Sequence, residues 1–154
     1  MRYYKKELWE MMNSTNVNKR ERAEEEWDNN DRRYNEYINK ISVKINRSIL
    51  ETIKMFKRFH DYIVEGIYIS TKSKEIKCCK IKLRNDETRL CIILEGLKKI
   101  RIQFNGFESC IQGRLQWGYS EFELLSGGVL RLSVLCDFDN EFTFEFKNLY
   151  VTME

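Results

Sequence analysis

His60 and Asp61 are adjacent in this sequence, and an imidazole beside a carboxylate can act as a general base. Metal-dependent phosphohydrolases also use a His-Asp pair, but those sites require further histidines to hold two ions. The chain has one histidine among its 154 residues, which excludes a site with two imidazoles. A Ser–His–Asp triad passes this count, yet no G-x-S-x-G turn is present to expose a serine. We therefore interpret His60 and Asp61 as a structural junction at the end of a helix.

A second candidate is the carboxylate pair Glu121 and Glu123, which stand two positions apart in a strand-like segment. This spacing places both carboxylates on one face of a strand, about 7 Å apart. Pairs of catalytic acids have separations of this order. Such pairs hydrolyse glycosidic bonds, but nothing else in the sequence resembles a sugar-binding cleft. A solvated or ion-paired strand surface is therefore the favoured interpretation.

Five cysteines are present, and none of them has CxxC spacing. Cys78 and Cys79 are neighbours with a lysine on either side, and a nearby cation can make a thiol reactive by lowering its pKa. On a strand, however, their side chains point to opposite faces, and unpaired cysteine packs as a small hydrophobe. Buried structural thiols are the favoured interpretation. Because the sequence also lacks a G-x-G-x-x-G or Walker loop, we expect no cofactor and no metal.

Residues 1–60 are predicted to be helical, because their apolar residues recur at intervals of three and four. We predict a short helix over residues 3–12, a long helix from about residue 18 and a second long helix from Ile49 to near His60. Ser48 and Glu51 have the spacing of a capping box at the start of the last helix. The first long helix is expected to bury one stripe: Ala23, Trp27, Tyr34, Ile38, Ile41 and Ile45.

From residue 62 onward the hydrophobic period changes to two, which is typical of strands with one buried face. Seven or eight short antiparallel strands are predicted as far as residue 153. They include segments at 107–111 and 142–151, and one strand on which Trp117, Tyr119 and Glu121 lie along a single face.

The predicted fold class is α+β, with N-terminal helices (about 1–60) packed on a C-terminal antiparallel β-sheet or sandwich (about 62–153). We expect a single domain over residues 1–154, made of a helical segment 1–60 and an antiparallel β segment 61–154. A domain of this length buries roughly 68–70% of its unfolded surface and needs no metal or disulfide. Hydrophobic residues make up 42% of the chain and aromatic residues 13%, which is ample for one core.

The formal net charge is +3, from 27 basic and 24 acidic residues. Acidic residues interrupt every basic cluster, which weakens the counterion release that drives nucleic-acid binding. No apolar run has the length of a membrane span, and residues 1–6 lack the apolar stretch of a signal peptide. Together with the unpaired cysteines, these features predict a cytoplasmic protein that binds no membrane, and they make nucleic acid an unfavoured partner.

Four features of the chain carry a family resemblance: the opening segment Met1–Trp9, Trp27 ahead of a Tyr-rich helix, the junction 59–61, and the segment 117–121 before a closing hairpin. With these, the chain resembles a bacterial family common in Firmicutes and catalogued as domain of unknown function 4085. The resemblance covers nearly the whole chain and implies a bacterial cytoplasmic protein with a helical N-terminal segment and a β C-terminal segment. The family has no established activity, so the resemblance assigns no catalytic residue.

Small α+β proteins of this kind also resemble bacterial immunity proteins, which neutralise secreted toxins. We therefore expect a non-enzymatic module with a protein partner, in its finer form an immunity protein that binds a toxin. Trp117, Tyr119 and Glu121 are the expected partner-contacting residues, because Trp and Tyr are frequent at interface hot spots. Burial of both rings in the sheet core is the alternative. A hydrolase-type enzyme and a weak nucleic-acid-binding regulator are the other functions that the sequence leaves open.

Overall fold

The computed structural model of the protein describes residues 1–72, 75–104, 115–137 and 140–154. Across these ranges, three helices precede eight strands. The helices are α1 (Lys6–Met12), α2 (Val17–Ile41) and α3 (Arg47–Met55). The strands are β1 (Tyr62–Lys72), β2 (Glu75–Arg84), β3 (Arg89–Glu95), β4 (Lys99–Gln103), β5 (Gln116–Leu124), β6 (Leu130–Cys136), β7 (Glu141–Phe146) and β8 (Asn148–Met153). The described strand pairs are antiparallel and the helices pack on the sheet, which confirms the predicted α+β fold class.

Helix α2 forms because its apolar residues recur on one face and its first turn is capped. The Asn16 side chain accepts a hydrogen bond from the Lys19 amide at 3.2 Å, as an N-cap residue does. Five residues of the predicted stripe are buried: Ala23, Trp27, Tyr34, Ile38 and Ile41. The sixth, Ile45, lies beyond the helix and packs, partly buried, against the same core.

Helix α3 begins earlier than predicted and is shorter. Its N-cap is Asn46, whose side-chain oxygen accepts a hydrogen bond from the Ser48 amide at 2.8 Å. The predicted capping box of Ser48 and Glu51 is therefore wrong, because asparagine is as good a cap as serine and places Ser48 inside the first turn. After the helix ends at Met55, a 3₁₀ turn over Phe56–Arg58 leads towards the sheet.

The strands form one sheet in the order β4-β7-β6-β5-β1-β2-β3-β8. The two ends of this order are close in the chain, since only Lys147 separates β7 from β8 and residues 96–98 separate β3 from β4. Hydrogen bonds continue across both bends, from the Lys98 amide to the Glu145 carbonyl at 2.7 Å and from the Lys147 amide to the Glu95 carbonyl at 3.0 Å. The sheet therefore curls round and closes on itself as a barrel-like structure.

The barrel interior is filled by apolar side chains that alternate along the strands, as the period of two predicts. Phe142, Phe144 and Phe146 on β7 are all 0% exposed, and the register places Phe144 opposite Leu132 of β6. Across the barrel, β2 and β3 contribute Cys79, Ile81, Leu83, Leu90, Ile92 and Leu94. Helices and strands share one hydrophobic cluster.

The predicted strand over 142–151 is present but bends at Lys147, so its two parts pair with different strands. A bend was not predicted because apolar residues continue on both sides of it. The predicted strand at 107–111 lies outside the described residues. A 3₁₀ turn over Ser126–Gly128 connects β5 to β6, with Gly127 and Gly128 both at positive φ and the Leu125 amide donating to the Val129 carbonyl at 2.8 Å.

Gly118 places an extra residue in β5 and reverses the faces of the residues on either side of it. Trp117 pairs with Cys136, whereas Tyr119 pairs with Leu135, so the register shifts by one between them. Trp117 therefore faces the core, while Tyr119 and Glu121 lie on the outer face. The prediction that the three side chains share one face is wrong, and the reason is this bulge.

The bulge requires glycine because the chains approach closely there. A β-carbon at Gly118 would lie 2.4 Å from the carbonyl oxygen of Leu135, which no side chain can accommodate. The bulge at Gly118 thus changes which side chains of β5 face the core, at the point where this strand meets the helices.

Candidate functional site

His60 and Asp61 form the junction between the helices and the sheet. Asp61 has φ +71°, a left-handed conformation that aspartate tolerates better than most residues. Its amide donates to the Trp117 carbonyl at 2.8 Å, which starts the pairing of β1 with β5. The His60 Nδ1 atom lies 2.8 Å from an Asp61 carboxylate oxygen. The pair therefore fixes the entry into the sheet.

A cleft of about 260 Å³ opens beside this junction, between α2, the Phe56–Arg58 turn and β5. We call it the aromatic cleft. It is lined by Tyr4, Trp27, Asp31, Phe56, Lys57, His60, Gly118, Tyr119 and Ser120. These residues come from four separate parts of the chain.

Packed rings form the walls of the aromatic cleft. Tyr119 contacts three of them: Trp27 with a centroid distance of 4.4 Å, His60 at 4.7 Å and Tyr4 at 5.5 Å. Trp27 and Tyr4 are themselves 5.3 Å apart. Because each ring is held by others, the walls are preorganised.

Asp31 organises the polar part of the cleft. Its carboxylate accepts hydrogen bonds from the Tyr4 hydroxyl at 2.5 Å, from Lys57 at 3.3 Å and from the Asn35 amide at 2.9 Å. Partial burial acts to raise the pKa of Asp31, but the bonds from Tyr4 and Lys57 outweigh it and hold the pKa below its usual value. Burial, together with the bond to Asp31, raises the pKa of Tyr4. Asp31 is therefore an anion and Tyr4 a neutral donor.

Ser120 and His60 line the same cleft, but their contacts do not make a catalytic pair. The Ser120 hydroxyl accepts a hydrogen bond from the Trp117 indole at 2.8 Å. In the part of the chain that the structure describes, no hydrogen bond joins Ser120 to His60. In a Ser–His–Asp triad, a hydrogen bond from serine to histidine activates the hydroxyl. The contacts of Ser120 therefore do not favour such a triad.

Glu121 anchors the N-terminal segment to the sheet. It is 8% exposed, and its carboxylate accepts hydrogen bonds from the backbone amides of Arg2, Tyr3 and Tyr4. A buried carboxylate that accepts several amide bonds is well compensated for its burial. Glu121 thereby positions Tyr4, one wall of the aromatic cleft.

Two tyrosines of α2 close the remaining edge of β5. The Tyr34 hydroxyl accepts a hydrogen bond from the Phe122 amide, and the Tyr37 hydroxyl accepts one from the Leu124 amide, both at 2.8 Å. Without them, these amides would be unpaired beside the core. Helix α2 therefore docks on β5 through specific polar contacts as well as through apolar packing.

The three residues expected to contact a partner have different environments. Trp117 is 0% exposed and Glu121 is engaged with the chain's own amides. Tyr119 is half-buried and lines the cleft. Among these three, Tyr119 alone presents a surface that a partner could reach without rearrangement.

Glu121 and Glu123, considered above as a pair of acids, both have structural contacts. Glu123 lies 2.8 Å from Arg131, which also binds Glu145 at 2.8 Å. Glu121 is bound to the N-terminal segment and Glu123 to Arg131, so each carboxylate has a structural partner.

The described cysteines include two whose environments make them unreactive. Burial raises the pKa of Cys79 and of Cys136 to about 12. Cys78 is half-exposed on the opposite face of β2 from Cys79, as the neighbouring positions predict.

The sequence did not identify the cleft residues Tyr4, Trp27, Asp31, Phe56 and Lys57 as a group. Trp27 and Asp31 are four apart and therefore share a helix face, which is a weak local signal. Their proximity to the other three residues results from the docking of separate elements and has no signature in the spacing.

The chain matches no known family model, and no curated protein is similar to it. Within the described residues, no cluster of histidine, cysteine, aspartate and glutamate side chains could hold a metal ion. Nor does any helix in those ranges have the length and hydropathy to cross a bilayer. The aromatic cleft is thus the candidate site on geometric grounds alone.

Proposed function

We propose that the protein is a non-enzymatic binding module whose partner is another protein, and that the aromatic cleft is the centre of the contact surface. The supporting observation is the state of the cleft's polar groups. The Tyr4 hydroxyl and the Lys57 ammonium both donate to the Asp31 carboxylate. Groups held in this way can orient a bound side chain, whereas catalysis needs a poised nucleophile or base.

The rim of the cleft has the composition of an interface. Lys57 and His60 are about half exposed and Tyr119 is half-buried, so charge and aromatic surface surround an apolar floor. Central aromatic anchors within a polar rim are typical of protein interfaces. In the finer form of the proposal, the module is a bacterial immunity protein and the partner is a toxin.

Mixing the purified protein with the product of the neighbouring gene tests this function. A complex in gel filtration is expected, and Tyr119→Ala should weaken it by tenfold or so, the effect of a modest hot spot. Tyr68→Ala is the matched control, since Tyr68 is 55% exposed on β1 and outside the cleft. Absence of any complex, or equal weakening by both variants, would contradict the proposal.

The alternative function, an enzyme that uses His60 as a base, rests on the bond between His60 and Asp61. If a His60→Ala variant is folded and keeps every cellular effect of the protein, the enzyme alternative is excluded. Loss of the effect without loss of the complex would favour the enzyme.

A further inference from the structure

The aromatic cleft has a size that limits what it can hold. Its volume of about 260 Å³ is below the range of about 300–1,000 Å³ that is usual for drug-sized ligands. It suits one long side chain from a partner surface. Tyr4, Trp27 and Phe56 contribute aromatic rings to its walls, against which the stem of such a side chain can pack.

The electrostatics of the aromatic cleft favour a cation. Three carboxylates lie in or beside it: Asp31 on its lining, Asp28 next to Trp27 and Asp61 next to His60. Two cations also lie there: Lys57 on the lining, and Arg32 beside Asp28, which donates to Asn29. These carboxylates therefore outnumber these cations by one. Lys57 is bound to Asp31 and Asn35.

The hydrogen-bonding capacity of the cleft also favours a cation. A carboxylate offers about four acceptor positions, and Asp31 uses two on Oδ1 and one on Oδ2. An occupant that carries hydrogen-bond donors would fill the remaining acceptor position of Asp31, and a carboxylate or phosphate would not.

The aromatic walls distinguish between cations. A guanidinium stacks on aromatic faces and forks its donors towards a carboxylate, whereas an ammonium is a compact and strongly hydrated charge. Trp27, Tyr4 and Tyr119 surround the space next to Asp31. The combination of flat rings and one carboxylate suits a guanidinium better.

We propose that the aromatic cleft binds an arginine side chain of the partner, with its guanidinium near Asp31 and its stem along Trp27 and Phe56. This inference rests on the proposed function, since it names the chemistry of the partner at the same site.

N-acetyl-arginine amide is the probe that tests this specificity in the absence of any partner. We expect saturable shifts of the Trp27 indole resonance in an NMR titration at millimolar concentrations. N-acetyl-norleucine amide, which has a stem but no charge, and N-acetyl-glutamate amide should give much weaker shifts. Equal shifts with norleucine would mean an apolar pocket, and stronger shifts with glutamate would mean an anion site; either result overturns the inference, as does no response to the arginine probe.

Asp31→Asn should weaken binding of the arginine probe by about fivefold, as expected for loss of one partly exposed charge pair. Glu25→Gln is the matched control, because it removes one exposed carboxylate from the same helix and should leave the affinity unchanged. Equal affinities for the two variants would contradict the role of Asp31. The arginine probe can bind even if no protein complex forms, and a complex can form even if the probe does not bind, so failure of this inference and failure of the proposed function are distinguishable.

Discussion

The barrel interior and the aromatic cleft are both rich in aromatic residues, but they are built in different ways. In the interior, Phe142, Phe144 and Phe146 come from one strand and contact other apolar side chains. In the cleft, the rings of Tyr4, Trp27 and Tyr119 come from three distant segments and are surrounded by hydrogen-bonding groups. The interior supplies stability through apolar burial alone, whereas the cleft depends on polar contacts that position each segment.

The largest effect is expected from a cavity in the barrel interior. Phe144→Ala should lower the free energy of unfolding by about 3–5 kcal/mol, because the ring is fully buried and its removal leaves a void. Urea denaturation followed by circular dichroism measures the change. The control is Tyr150→Ala, an aromatic truncation at a position 44% exposed, which should change stability by about 0.5 kcal/mol or less. Similar losses in both variants would contradict the assignment of Phe144 to the core.

A smaller loss of stability is expected when Glu121, which anchors the N-terminal wall of the cleft, is substituted. Glu121→Gln should cost about 2 kcal/mol, because an amide replaces a buried carboxylate that accepts three backbone hydrogen bonds. Hydrogen exchange should also quicken at the amides of Tyr3 and Tyr4. Glu123→Gln, two positions along the same strand, is the control and should cost about 1 kcal/mol or less as a surface ion pair. If amide exchange at Tyr3 and Tyr4 does not change in Glu121→Gln, Glu121 does not anchor the segment.

The contact between α2 and β5 provides a third comparison. Tyr34→Phe removes the buried acceptor of the Phe122 amide and should cost about 1 kcal/mol. Tyr37→Phe removes the corresponding acceptor of the Leu124 amide, but in a partly buried position where water can replace it. Its cost in urea denaturation should therefore be smaller, and the reverse order would contradict the description of this edge.

The smallest effect at neutral pH concerns the thiols of the barrel interior. Because burial raises the pKa of Cys79 and Cys136 to about 12, the folded state retains protons that the unfolded state loses above about pH 8.5. Their contribution to stability is complete below that pH and is lost as pH rises towards 12. The free energy of unfolding should therefore fall between pH 9 and 11, and less steeply in Cys79→Ala/Cys136→Ala. A slope unchanged by the double substitution would contradict this account.

The sequence predicts the apolar faces that fill the barrel interior, but it does not predict the aromatic cleft. The alternation of Phe142, Phe144 and Phe146 indicates a buried strand face without reference to any other part of the chain. The stripe of α2 is equally local. Both predictions hold because the period is set by backbone geometry.

The aromatic cleft was not predictable in this way, because its residues are brought together by docking. Sequence spacing does not link Tyr4 to Asp31 or Lys57 to Asp31. The bulge at Gly118 illustrates the same limit within one strand: a single inserted residue reversed the face assigned to Trp117. Glycine inside a strand pattern is a signal for such a bulge, and it is the one cue that would have corrected that assignment.

The closure of the sheet at Lys147 has a consequence for how the chain folds. The ladder that closes it pairs Leu90 with Met153 and Glu95 with Asn148, contacts between segments far apart in sequence. Such pairings carry a loop-closure entropy that is recovered only once the intervening chain is ordered. We therefore expect slow folding in which β8 joins β3 late, and the hairpins β1–β2 and β6–β7 acquire protection from hydrogen exchange first.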